Sequence, residues 1–215
     1  MSNAFIITGT DTDVGKTVFS AALMLGLNRR KSGSGFYWKP VQSGIEGGVD
    51  TRTVQKLTQL PAEQFFSERY VLSEHLSPHR AAELDGVEID IDALDVPECA
   101  GTLLIEGAGG LMVPITRTTL GIDIFSIWDL PVILCARTGL GTINHTLLSI
   151  SALRERDIKL HGIVFIGDDN PDNMRTIAEF SNARVLGRLP WLKSLNADSL
   201  SGAFDENFRA EDFEE

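Results

Sequence analysis

Nine residues, Gly9 to Thr17 (GTDTDVGKT), combine a glycine-containing turn with a lysine and a hydroxyl. The apolar run Phe5 to Thr8 ends directly before them, and a helical pattern begins directly after. In that setting the backbone N–H groups of the turn and the amino end of the helix offer oriented donors to triphosphate oxygens, and the lysine adds a full charge at the β/γ end. Lys16 is expected on phosphate and Thr17 on Mg²⁺, with Asp13, Val14, Gly15 and Val18 completing the nucleotide cradle. The spacing departs from the usual G-x4-G-K-[ST]. Thr10 stands where the first glycine belongs and Gly9 lies one residue earlier, giving G-x5-GKT.

A second chemical signal is LLIEGAGG, Leu103 to Gly110. It puts an acid, Glu106, at the carboxyl end of a buried strand, where open α/β sheets bind ligands. Gly107, Ala108 and Gly109 follow it and are small enough for backbone to approach phosphate. Alone, Glu106 reads equally well as a helix-capping carboxylate; beside a phosphate loop it reads as a magnesium ligand.

Elements of the right period must hold these residues. Short apolar or β-branched runs at Phe5 to Thr8, Gly35 to Lys39, Thr102 to Glu106, Val132 to Ala136, Gly162 to Ile166 and Arg184 to Leu186 alternate with helix-length segments. Continuous runs such as LLIE and VILCA, without polar alternation, are typical of parallel strands covered by helices on both faces. The expected fold is α/β, a doubly wound, mostly parallel sheet of the P-loop type, in one domain over residues 1–215. Its first helix is expected from about Thr17 to Lys31, with Val18, Ala21, Ala22 and Leu25 on one face. Arg29, Arg30 and Lys31 suit its carboxyl end, and Gly33 can terminate it. Another helix opens at Asn170-Pro171-Asp172, a cap followed by proline, with Met174, Ile177 and Ala178 inward. A third, from about Thr142 to Arg156, carries Ile143, Leu147 and Ile150 on one stripe. Residues 40–100, rich in Gly, Pro and acids, read as excursions over the active face. Asp205 to Glu215 carries six acidic residues and one arginine, and reads as a solvated tail or surface helix.

Composition narrows the function classes. Nineteen Lys and Arg against thirty Asp and Glu give a net charge of −11, which repels phosphate backbones and anionic bilayers at long range. Neither nucleic acid nor a membrane is expected as a partner. The two cysteines, Cys99 and Cys135, lie far apart and outside any C-x-x-C pair, so they read as small buried hydrophobes. MSNAFIIT lacks a basic leader, and no run approaches the ~18 apolar residues of a membrane span; the expected location is cytoplasmic. His75 and His79 have i, i+4 spacing, but Pro78 between them disfavours the helix that would aim both at one metal. No metal is assigned there, and His145 and His161 read as structural.

The phosphate loop and GAGG, together with WKPVQSG (Trp38 to Gly44), GLGTINH (Gly139 to His145) and LGRLPWL (Leu186 to Leu192), resemble the dethiobiotin synthetases, in the same order over about residues 1–192. The resemblance implies a homodimeric cyclo-ligase of biotin biosynthesis. With ATP and Mg²⁺ it would join CO₂ to 7,8-diaminononanoate, giving dethiobiotin, ADP and phosphate. It implies that Lys39, in the KP step, is a catalytic lysine touching carbamate and γ-phosphate beside Lys16. It implies Ser43 as a substrate contact, Thr12 on the diamine or carbamate, and Thr17, Asp50 and Glu106 as the magnesium set. Gly141, Thr142 and Asn144 are implied to receive the substrate carboxylate across the dimer interface; their other reading is an ordinary helix start with Thr142 as cap. Leu189, Pro190 and Trp191 are implied as one wall of the base pocket. Ile166 and Gly167 occupy the place where the family commonly presents an adenine-reading asparagine, so the base would be read by backbone groups, by Asp168 or Asn170, or only loosely.

Three other classes compete. A nucleotide switch of the MinD/ParA kind would share the sheet, but such proteins usually carry an additional lysine early in the loop, where this chain has Thr10-Asp11-Thr12-Asp13. A glutamine-dependent amide ligase is expected to need a glutaminase domain for which 215 residues leave no room. A relative that binds nucleotide without catalysis is the last.

Overall fold

Alternating burial along one strand explains the architecture. In β1 (Ala4–Gly9) every residue is buried, and successive side chains point to opposite faces, so Phe5 and Ile7 enter one core and Ile6 another. A strand buried on both sides belongs in the middle of a sheet. The structure, a computed structural model that describes residues 3–31 and 33–213, places it there. Seven strands run in the order β4 (Phe65–Phe66), β2 (Gly35–Trp38), β6 (Thr102–Glu106), β1, β7 (Val132–Arg137), β8 (Leu160–Ile166) and β9 (Val185–Leu189). Each neighbouring pair is parallel.

Helices α1 (Lys16–Arg30), α2 (Asp50–Thr58) and α7 (Ala197–Asn207) cover the Phe5 and Ile7 face. On the Ile6 face lie α4 (Gly121–Trp128), α5 (Thr142–Glu155) and α6 (Pro171–Ser181). The expected doubly wound sheet is therefore present. Helix α1 is buried over Phe19 to Leu27 almost without regard to face, because α7 packs on its outer side. A Cβ at Gly26 would lie 2.2 Å from the Phe204 ring, so only glycine permits that approach. Asn170 caps α6 as expected, its side chain accepting the Asn173 N–H at 3.2 Å. No helix among the described residues is long and apolar enough to cross a membrane.

The acidic C-terminal stretch differs from a solvated tail. After α7 a 3-10 turn, Ala210–Phe213, folds back so that Phe204, Phe208 and Phe213 join Phe5 and Phe19 in the core. The acids stay outside, where Asp205 pairs with Arg29, Glu211 with Arg30 and Asp212 with Arg184. Glu214 and Glu215 lie outside the described residues. Residues 40–100 are also more regular than expected. They hold α2, the edge strand β4, α3 (Pro78–Asp85) and a separate parallel pair, β3 (Val41–Ser43) with β5 (Tyr70–Leu72). The last sheet strand runs Val185–Leu189 instead of Arg184 to Leu186, and Lys39 follows β2 instead of ending it. Cys135 is buried, whereas Cys99 is only half-buried.

Helix α3 is tied to the segment before α4 by Arg117, which donates to Glu83 at 2.5 and 2.7 Å, with Arg80 at 2.9 Å. These bonds hold the Glu83 carboxyl at about 2, against an ordinary 4.5. A carboxyl lowered in the folded state stabilises above its unfolded value and loses that contribution as pH falls from 4.5 towards 2. All three side chains are solvated, so the effect on stability is small, but the titration itself is readable. Carbon NMR is expected to give Glu83 a midpoint near 2, returning towards 4.5 in Arg117→Ala. A midpoint already near 4.5 in the unsubstituted protein would show that the pair does not form in solution.

Candidate active site

Strands β2, β6 and β1 are consecutive in the sheet, so whatever follows their carboxyl ends meets in one place. Lys39 follows β2, Glu106 ends β6 and the phosphate loop follows β1. The loop turns through Gly15, which stands before α1 with φ 100°. Gly9 is explained by the fold-back of the loop over it. A Cβ there would sit 2.6 Å from Val14 Cγ2 and 3.1 Å from the Asp11 carbonyl, so the first glycine is needed one residue early. Lys16 Nζ donates to the Asp11 carbonyl at 3.0 Å across the loop, and the Thr12 N–H donates to Asp11 Oδ1 at 2.7 Å. Burial lowers the Lys16 pKa, with the Glu106 charge opposing it.

Glu106, 1% exposed, is the hub. Its Oε1 accepts from Thr17 Oγ1 at 2.8 Å and from Lys39 Nζ at 3.3 Å; its Oε2 accepts from the Tyr37 hydroxyl at 3.0 Å and Ser20 Oγ at 3.1 Å. Lys39 also pairs with Asp50 Oδ2. Burial works against the Lys39 charge, but Glu106 and Asp50 outweigh it and its pKa is raised, so it stays an ammonium. Burial and then the Glu106 charge push the Tyr37 phenol well above its usual range, so it remains a donor. Asp50, first residue of α2, is placed by Gln42, whose Oε1 accepts the Asp50 N–H at 3.1 Å while Nε2 donates to the carbonyls of Ser43 (3.2 Å) and Gly44 (3.0 Å).

These groups open into a cavity of about 900 Å³. Of the residues singled out from sequence, Thr12, Asp13, Gly15, Lys16, Thr17, Val18, Lys39, Ser43, Asp50, Glu106, Ala108, Gly109 and Trp191 line it. Ser43 Oγ is buried without a hydrogen-bond partner. Val14 and Gly107 are buried behind the lining, Gly107 donating to the Ile7 carbonyl at 2.9 Å. Ile166 and Leu189 are core residues, with Ile166 against Gly15.

Two of the groups considered for reading the base are committed elsewhere. The Gly167 N–H donates to the Leu189 carbonyl at 3.0 Å, and the Gly167 carbonyl accepts from Arg188 at 2.8 Å. Besides capping α6, Asn170 donates to the Thr138 carbonyl at 3.2 Å. Asp168 is exposed, Pro190 is half-buried, and Trp191 is 66% exposed at the cavity edge instead of lying in the core.

Gly141, Thr142 and Asn144 do not line the cavity. Thr142 does not cap α5; its hydroxyl donates to the Arg137 carbonyl at 2.5 Å. Asn144 and His145 are exposed on that helix, whereas His161 is structural, against Phe5 and Phe213 and bonded to the Asp212 carbonyl at 2.6 Å. Among the described residues no cluster of three or more His, Cys, Asp or Glu could hold a metal.

Sequence reasoning missed Tyr37, Ser20, Gln42 and the segment Ser73 to Pro78, which forms the far wall. The first two were findable. Tyr37 is two residues before Lys39 on an extended segment, and Ser20 three after Thr17 on a helix, so each shares a face with a residue already singled out.

Comparison with known proteins agrees with this geometry. A family model described as an AAA domain matches residues 3–199. A protein of Rhodopseudomonas palustris (strain BisB18) named "ATP-dependent dethiobiotin synthetase BioD" is 53% identical over 213 residues, 99% of each chain. A protein of the same name from Brucella anthropi is 55% identical over 208 residues, 97% of this chain and 95% of its own. Among solved structures, a ParA family ATPase from Chlorobium tepidum TLS superposes with a TM-score of 0.53 at 8% identity, covering 94% of this chain and 96% of its own. Apo McdA from Cyanthece gives 0.53 at 13% identity, with 94% and 91% covered. At such identities the structural likeness concerns the fold alone.

Proposed function

The chain belongs to the family of ATP-dependent dethiobiotin synthetases, and on that premise we propose that it is a cyclo-ligase converting 7,8-diaminononanoate, CO₂ and ATP into dethiobiotin, ADP and phosphate. The observation that carries the reading within this chain is the Lys39 ammonium, buried between Asp50 and Glu106 and lining the same cavity as the phosphate loop.

The chemistry needs positive charge more than acid or base. One amine adds to CO₂, a C–N bond forms, and the nitrogen releases a proton to give a carbamate. A carbamate oxygen attacks the γ-phosphorus and ADP leaves, producing a carbamic-phosphoric anhydride. The second amine attacks the carbonyl carbon, loses its proton and expels phosphate as the ring closes. Anions face each other throughout, so Lys16 and Lys39 would act by preorganised electrostatics at the transferring group. Thr12 and the unpartnered Ser43 hydroxyl would position the diamine. Thr17, Asp50 and Glu106 fit Mg²⁺ as a donor set, since that ion takes one or two carboxylates with a hydroxyl and phosphate oxygens. Bound there, it would neutralise charge on the β- and γ-phosphates.

Gly141, Thr142 and Asn144 lie outside their own chain's cavity, which supports their serving a second copy in a homodimer. Exposed Leu140 and Leu148 beside them support the same face. The seven strands in one sheet support a single domain, and we place the enzyme in the cytoplasm with its ATP. With Asn170 and the Gly167 N–H engaged, base selection would rest mainly on Trp191. Trp191→Ala is expected to raise KM for ATP roughly tenfold, within the ~1–3 kcal/mol of a base–aromatic stack, with kcat little changed. An unchanged KM would remove Trp191 from the site.

The overall reading is tested by mass spectrometry of purified protein with ATP, Mg²⁺ and bicarbonate. Dethiobiotin and ADP are expected in equal amounts only when the diamine is present. Slow ADP release indifferent to the diamine would favour the nucleotide switch.

A further inference from the structure

The two oxygens of Glu106 live in different surroundings. Oε2 receives the Tyr37 hydroxyl at 3.0 Å and Ser20 Oγ at 3.1 Å, and both donors are 0% exposed. Two donors occupy that oxygen's two lone pairs and turn it into the core. Oε1, by contrast, meets Thr17 and Lys39, which line the cavity. The clamp is built from two elements, α1 and β2, with Tyr37 itself packed in the largest buried cluster.

We propose that Tyr37 and Ser20 are positioning residues that restrict Glu106 to a one-oxygen presentation, and that this makes the triphosphate site select Mg²⁺ over Ca²⁺. The inference rests on the magnesium reading of Thr17, Asp50 and Glu106. Mg²⁺ takes six ligands in near-ideal octahedral geometry, whereas Ca²⁺ takes six to eight and readily accepts both oxygens of one carboxylate. For Glu106 to chelate through both oxygens, Oε2 must leave two buried hydroxyls without an acceptor, which is unfavourable. The larger ion therefore loses a ligand that the smaller one does not need.

The test is calorimetric titration of Mg²⁺ and Ca²⁺, each in the presence of a non-hydrolysable ATP analogue, into the unsubstituted protein, Tyr37→Phe, Ser20→Ala, the double variant and Glu106→Gln, with a thermal melt of each. The double variant is expected to lose about 10–100-fold in Mg²⁺ affinity, as when groups supporting a metal ligand are removed, while Ca²⁺ affinity falls less. The preference for Mg²⁺ should then shrink by about tenfold, with each single variant moving the same way. Should the double variant fail to fold, the single variants decide. Equal losses for both ions, or an unchanged ratio, would overturn the clamp and leave the two hydroxyls a purely structural role. If Glu106→Gln binds Mg²⁺ as well as the unsubstituted protein, the magnesium reading itself fails, a result distinct from failure of the clamp.

Discussion

Lys39→Ala is expected to lower kcat by about 10²–10³, the usual effect of removing one preorganised donor from a charge-stabilising site, while nucleotide binding persists through the phosphate loop. Lys39 is 5% exposed and holds the only ammonium bonded to both Asp50 and Glu106 among the described residues. Its loss leaves the buried Glu106 carboxylate without its counter-charge, and removing one partner of a buried pair destabilises by about 3–5 kcal/mol. Activity must therefore be compared below the melting temperature of each variant. Lys39→Gln, which keeps polar contacts without charge, should be as slow as Lys39→Ala. Lys16→Ala should differ by losing nucleotide affinity as well, since that lysine spans the loop itself. Rapid-quench turnover together with calorimetric nucleotide binding separates the two. Turnover within a few-fold of the unsubstituted rate in Lys39→Ala would place the proposed chemistry elsewhere.

The second large effect lies far from the chemistry. Phe213→Ala is expected to destabilise by about 3–5 kcal/mol, as buried Phe→Ala changes do, lowering Tm by roughly 6–20 °C for a chain of this size. Phe213 is fully buried and its ring lies 6.0 to 6.5 Å from those of Phe5, Phe19, Phe204 and Phe208. It packs against the helix that begins at the phosphate loop. Differential scanning calorimetry measures the shift directly. A variant that melts with the unsubstituted protein would return the C-terminus to the solvated tail its composition suggested.

That stretch shows where sequence reasoning fails and why. Asp205 to Glu215 is dominated by acids, and composition was allowed to outweigh the i, i+4 spacing of Phe204 and Phe208 that marks an inward face. Residues 40–100 failed for another reason. Strands of two or three residues, such as β4 and β3, are too short for any period to register. The long central runs were legible because a strand buried on both faces needs continuous apolar residues, and VILCA offers no other fold a better fit. The cavity lining was legible wherever chemistry demands a residue type at a fixed offset, as in Gly15, Lys16 and Thr17. Gln42 was not, because its role depends on where the chain returns at Asp50, a matter of tertiary path. The base side was misjudged in part. Asn170 was considered as a reader of adenine, yet its capping of α6 was visible in the same Asn-Pro-Asp step.

The central claim, that a carbamate oxygen takes the γ-phosphoryl group, is tested most directly by an isotope. Purified protein is given ATP, Mg²⁺, the diamine and freshly dissolved ¹⁸O-bicarbonate, and the released phosphate is analysed by mass spectrometry. One labelled oxygen per phosphate, absent when the diamine is omitted, is the result the account predicts. Phosphate carrying its new oxygen from water, with or without the diamine, would mean that the site hydrolyses ATP and joins nothing.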